Sequence, residues 1–343
     1  MTRIGILTGG GDCPGLNPVI RAVVRKALLE GYEIVGIKNG WKGLIENDTM
    51  PLDINTVSGI LPKGGTILGT SRTNPYKKEG DLQKVKDNFK KIGLDALVVI
   101  GGEDTLGVAS KLVKDGLTNI VGVPKTIDND LSATDYTFGF DTALNTAMEC
   151  IDRLHTTAES HHRIIVVEVM GRHAGWIATE AGIAGGADVI LIPEIPIDLN
   201  EVCKVIKKRH TRGKTFSIVV VSEGAQFKEG DMVLQEKKLD AFGHVRLGGI
   251  GEELAGQIEK RTGYETRVSV LGHLQRGGSP TAFDRVLGTR LGVKAVELIK
   301  NKAFGRMVAL SGIKIIDVAL EDAVKVIKTV DMELYDIAKV FFG

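Results

Sequence analysis

The sequence predicts an α/β fold in which parallel sheets are layered with helices. Two observations carry that expectation. Short apolar, partly β-branched runs recur along the chain, and most lead through a glycine-rich turn into a segment with helical apolar spacing. The chain also has 343 residues, enough for two α/β domains of ordinary size. A third observation locates chemistry: the 43 glycines gather at the ends of the apolar runs and follow no short repeat.

Taken in order, residues 4–8 form a first apolar strand. Gly9-Gly-Gly-Asp-Cys-Pro-Gly-Leu-Asn17 follows, then a helix with apolar residues at Val19, Ile20, Val23 and Val24. The layout suits a phosphate cradle, with Gly10 and Gly11 in the turn, yet it lacks the dinucleotide spacing and the Lys-Ser/Thr of a P-loop. Residues 34–37 read as a second strand, and 63–72 as a long glycine-rich loop ending in Arg72. An arginine there suits a bidentate hold on phosphate; taken alone it reads equally well as a surface arginine.

Residues 96–100 read as a buried strand, followed by Gly101-Gly-Glu-Asp-Thr105 and a periodic segment over 106–113 for which Thr105 is the expected cap. A helix start offers N–H groups to an anion. Glu103 and Asp104 would repel a phosphate unless a cation lies between, and Mg²⁺ takes one or two carboxylates plus phosphate oxygens. A solvated acidic turn is the bland alternative. The next strand, 120–123, runs into Pro124-Lys-Thr-Ile-Asp-Asn-Asp130. Ligands of open α/β sheets sit at carboxyl ends of strands. Asp128 and Asp130, with Lys125 and Thr126, are the groups expected of a proton-accepting base and a magnesium-linked carboxylate.

Residues 136–141 lead into a helix reaching 154. His155, His161 and His162 lack partners at tetrahedral spacing, so non-metal roles are expected for them. Arg163 opens strand 164–169, which ends in Met170-Gly-Arg172. Strand 189–192 ends at Pro193-Glu194, a polar helix covers 200–210, and strand 217–221 ends in Ser222-Glu-Gly-Ala225. The segment 227–245 mixes charge and glycine and reads as an exposed insert. A helix over 251–261, a strand over 266–271 containing Arg267, the segment Gly272-His-Leu-Gln-Arg-Gly-Gly278 and a helix over 282–298 follow. The remainder reads as short strands with one last helix. Basic residues at several strand ends imply a phosphorylated substrate, and Glu223 and His273 add groups that read sugar hydroxyls. The chemistry points to a phosphoryl transferase acting on a phosphorylated sugar or polyol.

Composition narrows the alternatives. A net charge of +1 gives no broad electrostatic case for nucleic acid or a membrane surface. No apolar run approaches the ~20 residues of a membrane span, and the first residues read as a strand, not a signal peptide. Cys13, Cys150 and Cys203 make neither a disulfide framework nor a zinc site, so a cytoplasmic location is expected.

The six motifs beginning at Gly9, Gly101, Pro124, Met170, Ser222 and Gly272 resemble those of the bacterial 6-phosphofructokinases, in the family's order and over essentially the whole chain. The resemblance implies two doubly wound, Rossmann-like domains with mainly parallel sheets and a cleft between them. Residues 1–139 with 252–305 would form the phosphoryl-donor domain, and 140–251 with 306–343 the fructose 6-phosphate domain. By family likeness Asp128 is the base for the sugar C1 hydroxyl, beside Thr126 and Asp130, and Glu103 is the acid linked to Mg²⁺. Gly10, Gly11 and Arg72 match the donor side. Met170, Gly171, Arg172, Glu223, His273 and Arg276 match the fructose 6-phosphate pocket. Arg163 and Arg267 match arginines supplied by a neighbouring subunit, which implies a homo-oligomer, dimer or tetramer, with shared sites.

ATP-using members carry glycine where Asp104 and Lys125 stand. A carboxylate at 104 would crowd and repel a nucleotide α-phosphate, and Lys125 would balance charge on a departing phosphate. Both look like the pyrophosphate-dependent branch, as does Glu103 in place of aspartate. Arg21, Arg25, Arg212 and Lys214 match effector contacts, but His155 and Ile54 replace two arginines there, which implies little nucleotide regulation. Three rival readings compete with pyrophosphate as donor. They are an ATP-dependent enzyme of the same family, a non-catalytic sugar-phosphate binder, and a nucleotide or lipid kinase with a similar Gly-Gly turn.

Overall fold

The computed structural model describes residues 1–228 and 249–343. The described residues divide into two compact units. The first comprises 1–127, 131–142 and 276–327; the second comprises 128–130, 143–275 and 328–343. The insert expected over 227–245 lies, beyond its first two residues, outside the described residues.

The first unit is built on a seven-stranded sheet. Its strands are β1 (Arg3–Thr8), β2 (Glu33–Ile37), β3 (Thr49–Leu52), β4 (Ala96–Gly101), β5 (Ile120–Pro124), β10 (Arg306–Ser311) and β11 (Lys314–Ala319). The spatial order is β11-β10-β5-β4-β1-β2-β3. The pairings β1–β2, β1–β4, β4–β5 and β5–β10 are parallel; only the two edges, β2–β3 and β10–β11, pair antiparallel. Central strands covered on both faces must be apolar throughout, and Leu97, Val98, Val99 and Ile100 of β4 are all fully buried. Complete burial of such a side chain contributes about 1.5–3 kcal/mol. The chain leaves β1 toward β2 on one side and reaches β4 on the other, so a topological switch point lies between β1 and β4. The glycine turns after these two strands therefore flank the crevice where ligands of such sheets bind.

Helices α1 (Leu16–Leu29) and α9 (Ala282–Lys300) pack against each other in this unit. At the foot of α9 the buried Asp284 carboxylate accepts from the Gly139 and Thr142 amides, each at 2.9 Å, and from the Thr142 hydroxyl at 2.6 Å. It thereby caps the start of α5 (Phe140–His161), which runs seven residues beyond the expected end at 154.

The second unit holds a four-stranded, wholly parallel sheet of β6 (Ile164–Val169), β7 (Val189–Leu191), β8 (Ser217–Ser222) and β9 (Thr266–Val270), in the order β7-β8-β6-β9. Among its helices are α6 (Trp176–Ala184), α7 (Leu199–Thr211), α8 (Ile250–Thr262) and α11 (Met332–Lys339). Ile164, Val166, Val219, Leu254 and Ile258 lie in its core.

The pairings correct the expected domain boundaries. Strand β9, within the span expected in the first domain, pairs with β6 of the second sheet. Strands β10 and β11, expected in the second domain, extend the first sheet through β5. The end of the chain is likewise corrected: after β10 and β11 it forms two helices, the short α10 (Leu320–Ala323) and α11, rather than one. Four elements had no counterpart in the expected order: α2 (Trp41–Glu46), β3, α3 (Asp81–Ile92) and the 3₁₀ turn Gly272–Arg276.

Candidate active site

In the first unit the residues after β1, β4 and β5 are bound into one cluster. Lys125 follows β5 directly; its backbone amide donates to Gly101 O at 2.9 Å. Its side chain is 4% exposed, and Nζ donates to Gly11 O at 2.5 Å. A buried ammonium is thus seated against the glycine turn of residues 9–11. The same turn is held from the long loop, where the Thr70 hydroxyl donates to Gly10 O at 2.6 Å and the Gly10 amide donates to Ser71 O at 3.1 Å. Arg72, the next residue, is exposed at the end of this loop.

The helix after β4 starts earlier than expected. Helix α4 spans Glu103–Lys114 with Gly102 as its N-cap, so Thr105 lies inside the first turn and is not the cap. Its side chain fills the space between two glycine turns: a Cβ on Gly101 would lie 2.4 Å from the Thr105 Cβ, and one on Gly9 2.7 Å from its hydroxyl. That packing, not capping, accounts for a threonine there. Glu103 and Asp104 occupy the first turn of α4 and are exposed. Carboxylates are favourable at that end of the helix dipole, and they project two anionic oxygen groups beside the switch point.

Arg276, expected among the sugar-phosphate residues, belongs to the first unit. Its guanidinium lies against the glycine turn: Nη1 donates to Asp12 O at 3.3 Å, and a Cβ on Gly11 would come within 2.0 Å of it. Thr126 precedes the unit boundary, and its carbonyl accepts from the Thr137 hydroxyl at 2.7 Å. Cys13, in the same turn, is buried, and desolvation pushes its thiol up to about 12, which removes it from nucleophilic chemistry.

The second unit contains Asp128, Asn129 and Asp130 together with Arg163, Met170, Gly171, Arg172, Glu223, Arg267 and His273 of the residues expected at the sugar phosphate. Asn129 takes a left-handed conformation, φ 50°, and is 1% exposed. Such a conformation costs an L-residue energy and persists where its surroundings hold it. Here Lys328 is the holder. Its Nζ donates to Asn129 Oδ1 at 3.1 Å, and its amide donates to Asp130 O at 2.8 Å. The ammonium also lies 5.2 Å from the centroid of the Trp176 ring, whose Nε1 donates to Lys328 O at 3.1 Å. That Lys328 holds this turn was not legible in the sequence, because its partner Asn129 is 199 positions away.

The ends of β6, β8 and β9, neighbours in the second sheet, carry Met170, Gly171 and Arg172, then Glu223, then His273. The loops are tied together. Gly171 O accepts from the Ser222 hydroxyl at 2.6 Å and from the Gly224 amide at 3.1 Å, and the Glu223 amide donates to Val169 O at 2.8 Å. Gly171 has φ 135°, and a Cβ there would meet Ser222 Oγ at 2.6 Å, so glycine is required. His273 lies exposed on the 3₁₀ turn Gly272–Arg276.

Arg163 and Arg267 are not brought to these loops. They stand at the opposite ends of β6 and β9, where both pair with Glu265, Arg163 at 2.9 Å. Hydrogen bonding from Arg163 and the charge of both arginines lower the Glu265 pKa. From Arg163 to Met170 is roughly 23 Å of extended chain, at about 3.3 Å per residue. The histidines make ordinary contacts: His155 Nε2 is 2.7 Å from Gly185 O, and His162 Nδ1 is 2.8 Å from the Thr215 hydroxyl. No helix among the described residues is long and apolar enough to cross a membrane.

A family model described as phosphofructokinase matches residues 3–299. Over 342 residues the chain is 60% identical to the pyrophosphate–fructose 6-phosphate 1-phosphotransferase of Streptomyces coelicolor, covering 99% of this chain and 100% of that one. It is 52% identical over 329 residues to ATP-dependent 6-phosphofructokinase 3 of the same organism, covering 96% of each. Among solved structures, Pichia pastoris phosphofructokinase in the T-state superposes with a TM-score of 0.83 at 34% identity, over 99% of this chain and 38% of that one.

Proposed function

Since the chain belongs to the phosphofructokinase family, we propose that it transfers a phosphoryl group from pyrophosphate to the C1 hydroxyl of fructose 6-phosphate, releasing fructose 1,6-bisphosphate and phosphate. Overall identity does not separate the donors, because relatives named for pyrophosphate and for ATP both align along nearly the full chain. The observation that carries the choice is the buried Lys125 ammonium on the carbonyl of Gly11. A cation placed there meets the charge that builds on a departing phosphate. Asp104, on the first turn of α4, adds an anion that an α-phosphate would have to approach.

In this reading Asp128 takes the proton of the C1 hydroxyl as its oxygen attacks the nearer phosphorus. The bond from that phosphorus to the bridging oxygen breaks, and phosphate leaves with the electron pair. The reverse reaction uses the same groups, with Asp128 returning the proton. Gly10, Gly11, Arg72 and Lys125 hold the donor; Thr126 and Asp130 flank the base. Met170, Gly171, Arg172, Glu223, His273 and Arg276 hold the sugar phosphate.

Mg²⁺ belongs to this proposal. Among the described residues no group of three or more His, Cys, Asp or Glu forms a metal site. Glu103, with Asp104 at its side on the exposed first turn of α4, would hold an ion that takes one or two carboxylates and keeps waters and phosphate oxygens. When bound it supplies charge neutralisation on the transferring group. A homo-oligomer with shared sites is also proposed, supported by the placement of Arg163 and Arg267 at the far ends of their strands. A cytoplasmic location completes the reading.

The test is purified protein with fructose 6-phosphate and Mg²⁺, offered pyrophosphate and ATP in separate reactions. Fructose 1,6-bisphosphate from pyrophosphate is the expected product. Formation from ATP alone favours the ATP-dependent reading, and formation from neither donor removes both.

A further inference from the structure

Gln275 is fully buried, and both ends of its carboxamide are used. Oε1 accepts from the Met170 amide at 3.2 Å, and Nε2 donates to Gly272 O at 3.2 Å. The two partners dictate the orientation of the group, because one is a donor and the other an acceptor. Met170 opens the loop after β6 that carries Gly171 and Arg172; Gly272 opens the turn after β9 that carries His273. The end of β6 is bonded to the β8 end through Glu223, Ser222 and Gly224. The amide of Leu271 is the last ladder contact, to Glu168 O at 3.0 Å.

We infer that Gln275 is a positioning residue for the sugar-phosphate substrate: its carboxamide sets the His273 turn against the Met170–Arg172 loop. The inference rests on the assignment of fructose 6-phosphate to these loops. Gln275 touches no substrate in this account; it acts through the segments that do.

The chemistry supplies a test that a merely space-filling residue would not answer. Gln275→Glu keeps the shape and the oxygen facing the Met170 amide. Protonated, its hydroxyl can donate to Gly272 O; ionised, it sets a negative oxygen against that carbonyl. Burial raises the pKa of such a carboxyl, which brings its titration toward the working range. Gln275→Met keeps the length and supplies neither bond. The surrounding charged groups, Arg172 and Glu168 with β6, Glu223 after β8, and His273 and Arg276 on its own turn, are common to all three proteins. The readout is therefore the ratio of variant to wild-type KM, which also cancels titration of the substrate.

For Gln275→Glu the KM ratio for fructose 6-phosphate should lie near one at the acid end of the activity range and climb about tenfold at the alkaline end, the scale of one unmade buried hydrogen bond. The ratio for pyrophosphate should stay flat. For Gln275→Met the sugar-phosphate ratio should be raised at every pH without that slope. If Gln275→Met fails to fold, the slope within Gln275→Glu still decides. A flat sugar-phosphate ratio for Gln275→Glu, or an equal slope for pyrophosphate, overturns the inference. A wild-type enzyme that does not use fructose 6-phosphate at all defeats the substrate assignment instead, and that is measured first.

Discussion

Asp128, the residue proposed as proton acceptor, sits in a turn whose geometry is held by groups other than itself. Asp128 precedes the left-handed Asn129, and Lys328 grips that residue and the carbonyl of Asp130. Removing the base while keeping its size should leave the turn intact. Asp128→Asn is expected to lower kcat by about 10²–10⁴-fold, with fructose 6-phosphate binding, followed by calorimetry, little changed. Turnover within a few-fold of wild type would remove Asp128 from the role. At this scale the sequence located residues that stand just beyond their own strand ends: Lys125 and Asp128 after β5 and His273 after β9. It was silent on Lys328 and Glu265, whose meaning comes from partners far away or from the opposite end of a strand. It misread Thr105: a threonine before an apolar run suits a cap, but Gly102 already occupies the cap and the side chain fills the glycine turns.

Among elements, strands were legible when buried on both faces. The runs of β1, β4, β5, β6 and β8 are mainly apolar, with Glu168 the one charged residue inside β6, and glycine lies in the turns after β1, β4, β6 and β8. The antiparallel edge strand β3, Thr-Met-Pro-Leu, is short, half exposed and carries a proline, so nothing in its pattern exceeds that of a loop. Helix α3 did carry a signal, with Leu82, Val85, Phe89 and Ile92 on one stripe between Gly80 and Gly93. The joint between α5 and α9 was not readable, since Asp284 meets Gly139 and Thr142 across more than 140 positions. Desolvation raises its carboxyl from 3.8 to about 6. An acid raised in the fold keeps its proton there while the unfolded chain has lost it. Its contribution is therefore present below the unfolded pKa and is lost as pH rises through the folded one. The stability advantage of wild type over Asp284→Asn, from urea titrations, should shrink on the order of 2–3 kcal/mol between roughly pH 4 and pH 6. A constant difference across that window would show that Asp284 is not so perturbed.

For the whole molecule, the sequence revealed two parallel-sheet units but not where the chain passes between them. Strand patterns do not say which sheet a strand joins, and β9 and β10 each join the one opposite to expectation. Arg163 and Arg267 stand at the far ends of β6 and β9 from the loops proposed to hold the sugar phosphate, and the proposed shared sites give them to a second copy. Arg163→Ala protomers mixed and re-equilibrated with Asp128→Asn protomers should regain activity, since some sites then receive both groups. Fully exchanged mixtures that stay inactive would refute shared sites. Donor choice is the property of the whole enzyme on which the functional reading turns. Lys125→Gly should depress pyrophosphate turnover by removing a buried cation from the donor turn, and Asp104→Gly should admit ATP by removing an anion from the start of α4. The most direct measurement is kcat/KM for pyrophosphate and for ATP on wild type and Asp104→Gly, with fructose 6-phosphate and Mg²⁺ held constant. The expected result is strong preference for pyrophosphate in wild type and a measurable gain for ATP in the variant. Wild-type enzyme using both donors comparably, with Asp104 in place, would contradict it.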